Sequence, residues 1–142
     1  MREILFRGKR PNGKWNQGDL TQFCIDEEVT SKISFHELKA TPYGMRVFTY
    51  TNEVIPETVG QYTGLTDKNG TKIFEGDIVT QPVRETRKHS PCLVEFKDGK
   101  FQAHYISEKR FFDRYYDLNS YTKIIGNIHD NPELLESEVE GE

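Results

Sequence analysis

Residues Thr58–Val79, TVGQYTGLTDKNGTKIFEGDIV, decide how this chain is read. Asp67-Lys68-Asn69-Gly70 falls between two runs that favour strands, Thr58–Thr63 and Thr71–Phe74. A break of that composition between such runs is a strong hairpin signal. Glu75-Gly76-Asp77 then turns the chain into Ile78-Val79-Thr80, which stops at Pro82. The stretch is compact and β-rich, and it contains no evident chemistry.

The same grammar extends in both directions. Upstream, Ile4–Gly8 and a strand beginning at Lys14-Trp15-Asn16 flank Arg10-Pro11-Asn12-Gly13, which predicts a hairpin anchored by Trp15. Leu20–Ile25 and Arg46–Thr51 read as strands, whereas Val29–Leu38 fits neither the helical nor the strand period cleanly. Downstream, Cys92–Phe96 and Phe101–Tyr105 form a second hairpin across Lys97-Asp98-Gly99-Lys100. Tyr121–Ile128 is a last strand, and Gly126 inside it marks a bulge or a close backbone approach. Asn131-Pro132-Glu133 has the order of a helix start, with Leu134 and Leu135 to pack it down. Arg84–Pro91 is polar and reads as an exposed loop.

Short strands separated by Gly-containing turns predict a mainly β protein, a small barrel or roll with an N-terminal β-hairpin extension and a short C-terminal helix. The expected boundaries are 1–53 for the N-terminal β region, 54–135 for the barrel with its helix, and 136–142 for an acidic tail. At 142 residues the chain is long enough to bury a core without a disulfide or metal staple. Apolar residues make up only 35%, but nine Phe, seven Tyr and one Trp offset the shortfall, since each buries a large area.

The net charge is −4, and the tail from Glu133 onward supplies much of the acidity. The remaining body is close to neutral and exerts no general pull on a phosphate backbone. Cys24 and Cys92 belong to no pair motif, which predicts reduced thiols in a cytoplasmic protein. No run approaches the roughly 18 apolar residues of a membrane span, and the first residues lack the apolar core of a signal peptide.

Several motifs recur here in a fixed order: Arg7-Gly8-Lys9, Trp15 with Gly18-Asp19, Thr58–Leu65, Asp67–Gly70, Phe74–Val79 and Ile125–Ile128. In that combination the chain resembles the YopX family, small proteins encoded by phages and prophages of Gram-positive bacteria. The resemblance runs from Ile4 to Leu135 and is weaker over Thr30–Tyr50 and Pro82–Pro91. It implies a mainly β protein with an SH3-like barrel in its C-terminal part, and it brings no catalytic residue with it.

Few residues invite chemistry. Asp77 after Gly76 places a carboxylate where it either binds a ligand or metal or caps its own turn, and the cap is the plainer reading. Asp67, Asn69 and Gly70 echo a fragment of a calcium loop but lack the rest of the ligand series. His36, His89, His104 and His129 are scattered, so a three-ligand site of His104, His129 and Cys92 would have to be assembled by the fold. His129-Asp130 offers an oriented imidazole without a nucleophile. No phosphate-binding glycine loop occurs, and no cofactor is expected.

The strongest binding candidate is Lys109–Tyr116, where Phe111, Phe112, Tyr115 and Tyr116 interleave with Lys109, Arg110 and Arg114. Such a mixture fills a core with its bases turned to solvent, forms a protein interface, or stacks nucleobases beside neutralised phosphates. Arg84, Arg87 and Lys88 would add to a basic surface. The expectation is a non-enzymatic, homo-oligomeric protein-interaction module meeting a phage or host protein. The alternative is a nucleic-acid-binding barrel using the aromatic and basic surface.

Overall fold

The structure, a computed structural model, describes residues 3–83, 88–106 and 114–135. Within them the strands are β1 Phe6–Lys9, β2 Trp15–Ile25, β3 Glu28–Thr41, β4 Gly44–Val54, β5 Gly60–Thr66, β6 Lys72–Phe74, β7 Asp77–Val83, β8 Lys88–Lys97, β9 Lys100–Tyr105, β10 Arg114–Tyr116 and β11 Lys123–Asn127. A 3-10 turn at Pro56–Thr58 and a helical turn at 133–135 complete the inventory. The strands make two antiparallel sheets, ordered β4-β3-β2-β1-β5-β6 and β10-β9-β8-β7-β11. Mainly β architecture is therefore as the sequence predicts, but the barrel is not: among the described residues neither sheet closes, because β4 and β6 end one and β10 and β11 end the other.

The chain divides into two units, Met1–Gln61 and Tyr62–Glu142, and β5 runs through the division. The first unit is a meander of β1 to β4. Residues Val29–Leu38, ambiguous in sequence, lie inside the 14-residue strand β3, which pairs with β2 from Asp19↔Ser34 to Ile25↔Glu28 and with β4 from Ser31↔Val54 to Thr41↔Gly44. Its core is small: Ile33, Val54 and Ser31 are fully buried. Gly18 is there for space, since a Cβ at that position would sit 2.0 Å from the Ser34 carbonyl oxygen. Thr58 ties the 3-10 turn to β1, its hydroxyl accepting the Lys9 N–H at 2.8 Å and donating to the Ile55 carbonyl at 2.6 Å. The predicted hairpin at the N-terminus is present, and the Arg7 guanidinium stacks 4.9 Å from the Trp15 ring.

The second unit holds the larger core. Ile73, Val79, Val83, Cys92, Val94, Ala103 and Tyr105 are buried together, with Tyr116, Leu118 and Ile124 packed against them. Each fully buried aliphatic side chain contributes about 1.5–3 kcal/mol. A polar chain threads the same interior. Thr122 Oγ1 donates to Gln81 Oε1 at 2.6 Å, Gln81 Nε2 donates to the Asp117 carbonyl at 3.0 Å, and both side chains are fully buried. The β8–β9 hairpin closes on Asp98 and Gly99, both with positive φ, which matches the twist of the flanking strands.

Two details depart from the sequence reading, at Pro82–Pro91 and at Asn131, and one, at Gly126, agrees with it. Strand β7 continues through Pro82, which pairs with His89, so Lys88–Pro91 belongs to β8 and is not loop. Gly126 does mark both a bulge and a close approach: the register slips between Ile124 and Gly126, and a Cβ would meet Asn131 Oδ1 at 2.6 Å. The Asn131 side chain accepts from the Asn127 N–H behind it at 3.3 Å. The turn that follows is closed by i+3 bonds from Leu134 and Leu135.

Candidate functional site

The sequence-derived candidates separate when placed on strands. Lys109, Arg110, Phe111 and Phe112 lie outside the described residues, as do Arg84 and Arg87. Arg114, Tyr115 and Tyr116 form the edge strand β10, pairing with Tyr105, His104 and Ala103. Tyr116 faces the core with Ala103, while Tyr115 turns to the opposite face. There it stacks on His104 at 4.2 Å with Lys97 over its ring at 4.8 Å, and His104 Nδ1 lies 2.6 Å from Glu95 Oε2. Alternation therefore splits the two tyrosines between core and surface.

The same alternation bears on the histidines. Leu93, not Cys92, pairs with His104, so Cys92 and His104 point to opposite faces of the sheet. Among the described residues, no three His, Cys, Asp or Glu side chains gather to hold a metal. His36 belongs to the first unit, between Thr49 Oγ1 at 2.9 Å and Asp19 Oδ2 at 3.0 Å. Asp77 caps its turn, accepting the Phe74 N–H at 2.8 Å. Asp67 does the same more extensively. It accepts from Asn69 at 2.9 Å, Thr71 at 3.0 Å and, across the unit, Ile124 at 3.1 Å. Burial works to raise its pKa, but those three N–H donors together with Lys123 outweigh it and hold the carboxyl below the ordinary range.

A different surface stands out in the first unit. Beyond Ser34, β2 no longer pairs with β3, and the hairpin of β3 and β4 continues as a two-stranded arm to the Pro42-Tyr43 turn. Cross-strand pairs share a face. One face of the arm carries Leu38 opposite Val47 and Ala40 opposite Met45. The other carries Phe35 opposite Tyr50 and Glu37 opposite Phe48. Leu38 and Val47 are each 65% exposed, Met45 57%, Phe48 40% and Tyr50 37%. Lys39 covers the aromatic side, its Nζ 5.4 Å from each ring centre and 2.8 Å from the Tyr50 hydroxyl. That hydroxyl, and then Glu37, raises the Lys39 pKa.

Sequence reasoning missed this surface, although a signal was present. In MRVFTYT, Met45-x-Val47 and Phe48-x-Tyr50 place apolar residues on both sides of a strand, which requires either burial on both faces or a partner.

A family model described as YopX protein matches residues 5–136. The chain belongs to the YopX family. The motifs that carry the family likeness sit mostly at turns and close approaches of this YopX fold: Asp67–Gly70 around the buried carboxylate, Gly76-Asp77 at a capped turn, and Gly18 against Ser34. Among solved structures, the crystal structure of protein EF1440 from Enterococcus faecalis resembles this YopX chain with 24% identity and a TM-score of 0.55, over 95% of this chain and 99% of that one. At that identity the likeness shows the fold alone. No curated protein matches the chain. No helix among the described residues is long and apolar enough to cross a membrane.

Proposed function

We propose that this YopX chain is a non-enzymatic protein-interaction module that assembles with itself through the β3–β4 arm. It serves a phage or prophage process in the cytoplasm of its bacterial host. The observation that carries the reading is the arm itself, which exposes large apolar side chains on both faces, Leu38, Val47 and Met45 on one and Phe48 and Tyr50 on the other. A two-stranded hairpin is marginal in water by itself, and apolar residues at its end gain free energy only when something covers them. Covering apolar side chains is favourable by about 25 cal/mol per Å² removed from water, and the surplus over the association cost of about 4–15 kcal/mol sets the affinity. Family membership supports the phage setting.

The split of Tyr115 and Tyr116 between opposite faces favours protein contact over nucleic acid, since the two rings make no continuous stacking platform. Multi-angle light scattering tests the proposal. The wild-type protein is expected at a multiple of 16.6 kDa, and Leu38→Lys or Val47→Lys at 16.6 kDa with an unchanged circular dichroism spectrum. A wild-type monomer at tens of micromolar overturns it. Salt-sensitive binding of a labelled single-stranded oligonucleotide would transfer the case to the nucleic-acid reading.

A further inference from the structure

Resting on that reading, we infer that two copies pack face to face, the aliphatic side of each arm lying on Phe23 and Ile25 of the other, about a two-fold axis that crosses the strands at Ser34. Register places the residues. Asp19, Thr21, Phe23 and Ile25 of β2 pair with Ser34, Lys32, Thr30 and Glu28, and cross-strand partners share a face. They therefore lie on the side of the sheet that carries Leu38 with Val47 and Ala40 with Met45. The Lys32 Nζ, 5.9 Å from the Phe23 ring, lies on that side too. This face holds two apolar patches. The arm supplies one, and Phe23, 41% exposed, with Ile25, 64% exposed, supplies the other at the opposite end.

The spacing of the patches selects a second copy. Phe23 and Ile25 stand at the levels of Thr30 and Glu28, four and six residues before Ser34, while Leu38 and Ala40 stand four and six after it. In a two-fold contact, a residue that touches another in the copy is touched by it in return. An axis lying between the two sheets at Ser34 meets that condition: Phe23 faces Leu38 of the second copy, and Ile25 faces its Ala40 and Met45. An unrelated partner would need only one patch. The facing residues are one strand apart sideways, about 5 Å, which Phe, Leu and Met side chains span between sheets packed ~10 Å apart.

Charge and area agree with this arrangement. Between the patches the face is polar, with Lys32 opposite Glu53 two residues before Ser34 and His36 opposite Thr49 two after it. The same axis brings Lys32 of each copy toward His36 and Asp19 of the other, a pair 3.0 Å apart. The two Asp19 carboxylates near the axis are thus flanked by two ammonium groups. Each residue of a sheet occupies roughly 16 Å² of its plane, so β3, β4 and Asp19–Ile25 present on the order of 500 Å² seen flat. Projecting side chains raise the accessible area toward the ~600–1,000 Å² per partner of stable interfaces.

Two substitutions near one turn test the packing by light scattering. Ile25→Lys, remote from the arm, is expected to weaken assembly by about tenfold or more, as Leu38→Lys does, with an unchanged circular dichroism spectrum. Val29→Lys is expected to leave assembly intact, since Val29 is 50% exposed but pairs with Cys24 on the opposite face. Crosslinking with a short bis-maleimide in a Cys24→Ser background gives a second readout. Thr51→Cys, which pairs with Ser34 at the level of the axis, should couple to its copy several times faster than Ala40→Cys, whose copy lies at the other end of the strip. If scattering shows an oligomer but Ile25→Lys leaves it unchanged, or Ala40→Cys couples faster than Thr51→Cys, the two-patch packing is overturned and self-association stands. If the wild-type protein is monomeric at tens of micromolar, both fall.

Discussion

Asp67 is the most exposed to direct test. Its carboxylate is 7% exposed and accepts three backbone N–H groups, two within its own loop and one from Ile124. Replacing it with alanine leaves three donors without that acceptor, each costing about 1–3 kcal/mol if no water reaches it. Asn69 and Thr71 are exposed and can turn to solvent, whereas Ile124 is half-buried, so the expected loss is about 3 kcal/mol and not the full sum. Asp67→Asn keeps one oxygen for Asn69 and Thr71 but faces Ile124 with an amide NH₂, for an expected cost of about 1–2 kcal/mol.

The pH dependence has a definite sign. The folded pKa lies below the unfolded one, so the contribution is fully present above the unfolded value, near 3.9, and is lost as pH falls through the folded value. Urea melts followed by circular dichroism at pH 7 and at closely spaced values below 4 measure both effects, with exchange of the Ile124 amide as a local readout. The Asp67→Asn protein should be less stable at pH 7 and lose less on acidification. Asp67→Ala within about 0.5 kcal/mol of wild type, or an Asn variant with the wild-type acid profile, would refute the reasoning.

Four further outcomes follow from other positions. Glu27 has φ +68 in the β2–β3 turn, where a side chain is strained, so Glu27→Gly should raise stability by about 1 kcal/mol in a thermal melt. Gly18→Ala brings a methyl against the Ser34 backbone and should destabilise by about 3 kcal/mol or more, read by urea denaturation followed through Trp15. Thr122→Val removes the donor to the buried Gln81 Oε1 and should cost about 1–3 kcal/mol, with Thr122→Ser recovering most of it. Cys24 is exposed and Cys92 buried, so a thiol reagent should modify Cys24 at once and Cys92 only on unfolding.

What was legible in the sequence was local. The Asp98-Gly99 and Asp67–Gly70 turns could be read because the residue types themselves permit the backbone they adopt. Whether a sheet closes is a property of its first and last strands, which no local pattern encodes, and the barrel expectation failed for that reason. Residues Val29–Leu38 resisted reading because strand alternation is visible only where one face is buried. Ser31 and Ile33 are buried, but from His36 onward the arm is exposed on both sides and the pattern dissolves. The aromatic cluster at Lys109–Tyr116 drew attention by composition. In its described part, Arg114–Tyr116, neighbours in the strand face opposite ways, which composition does not encode.

The topology of the second unit has a consequence for biosynthesis. Strand β7 acquires β8 on one side within a few residues, yet its other side waits for β11, and Lys123 pairs with Thr80. Asp67 and Gln81 likewise wait for Ile124 and Thr122. A chain emerging from the ribosome therefore holds a carboxylate and an amide in readiness for more than forty residues of synthesis. During that interval one flank of β7 is open, which places the unit's need for chaperone cover before the release of β11.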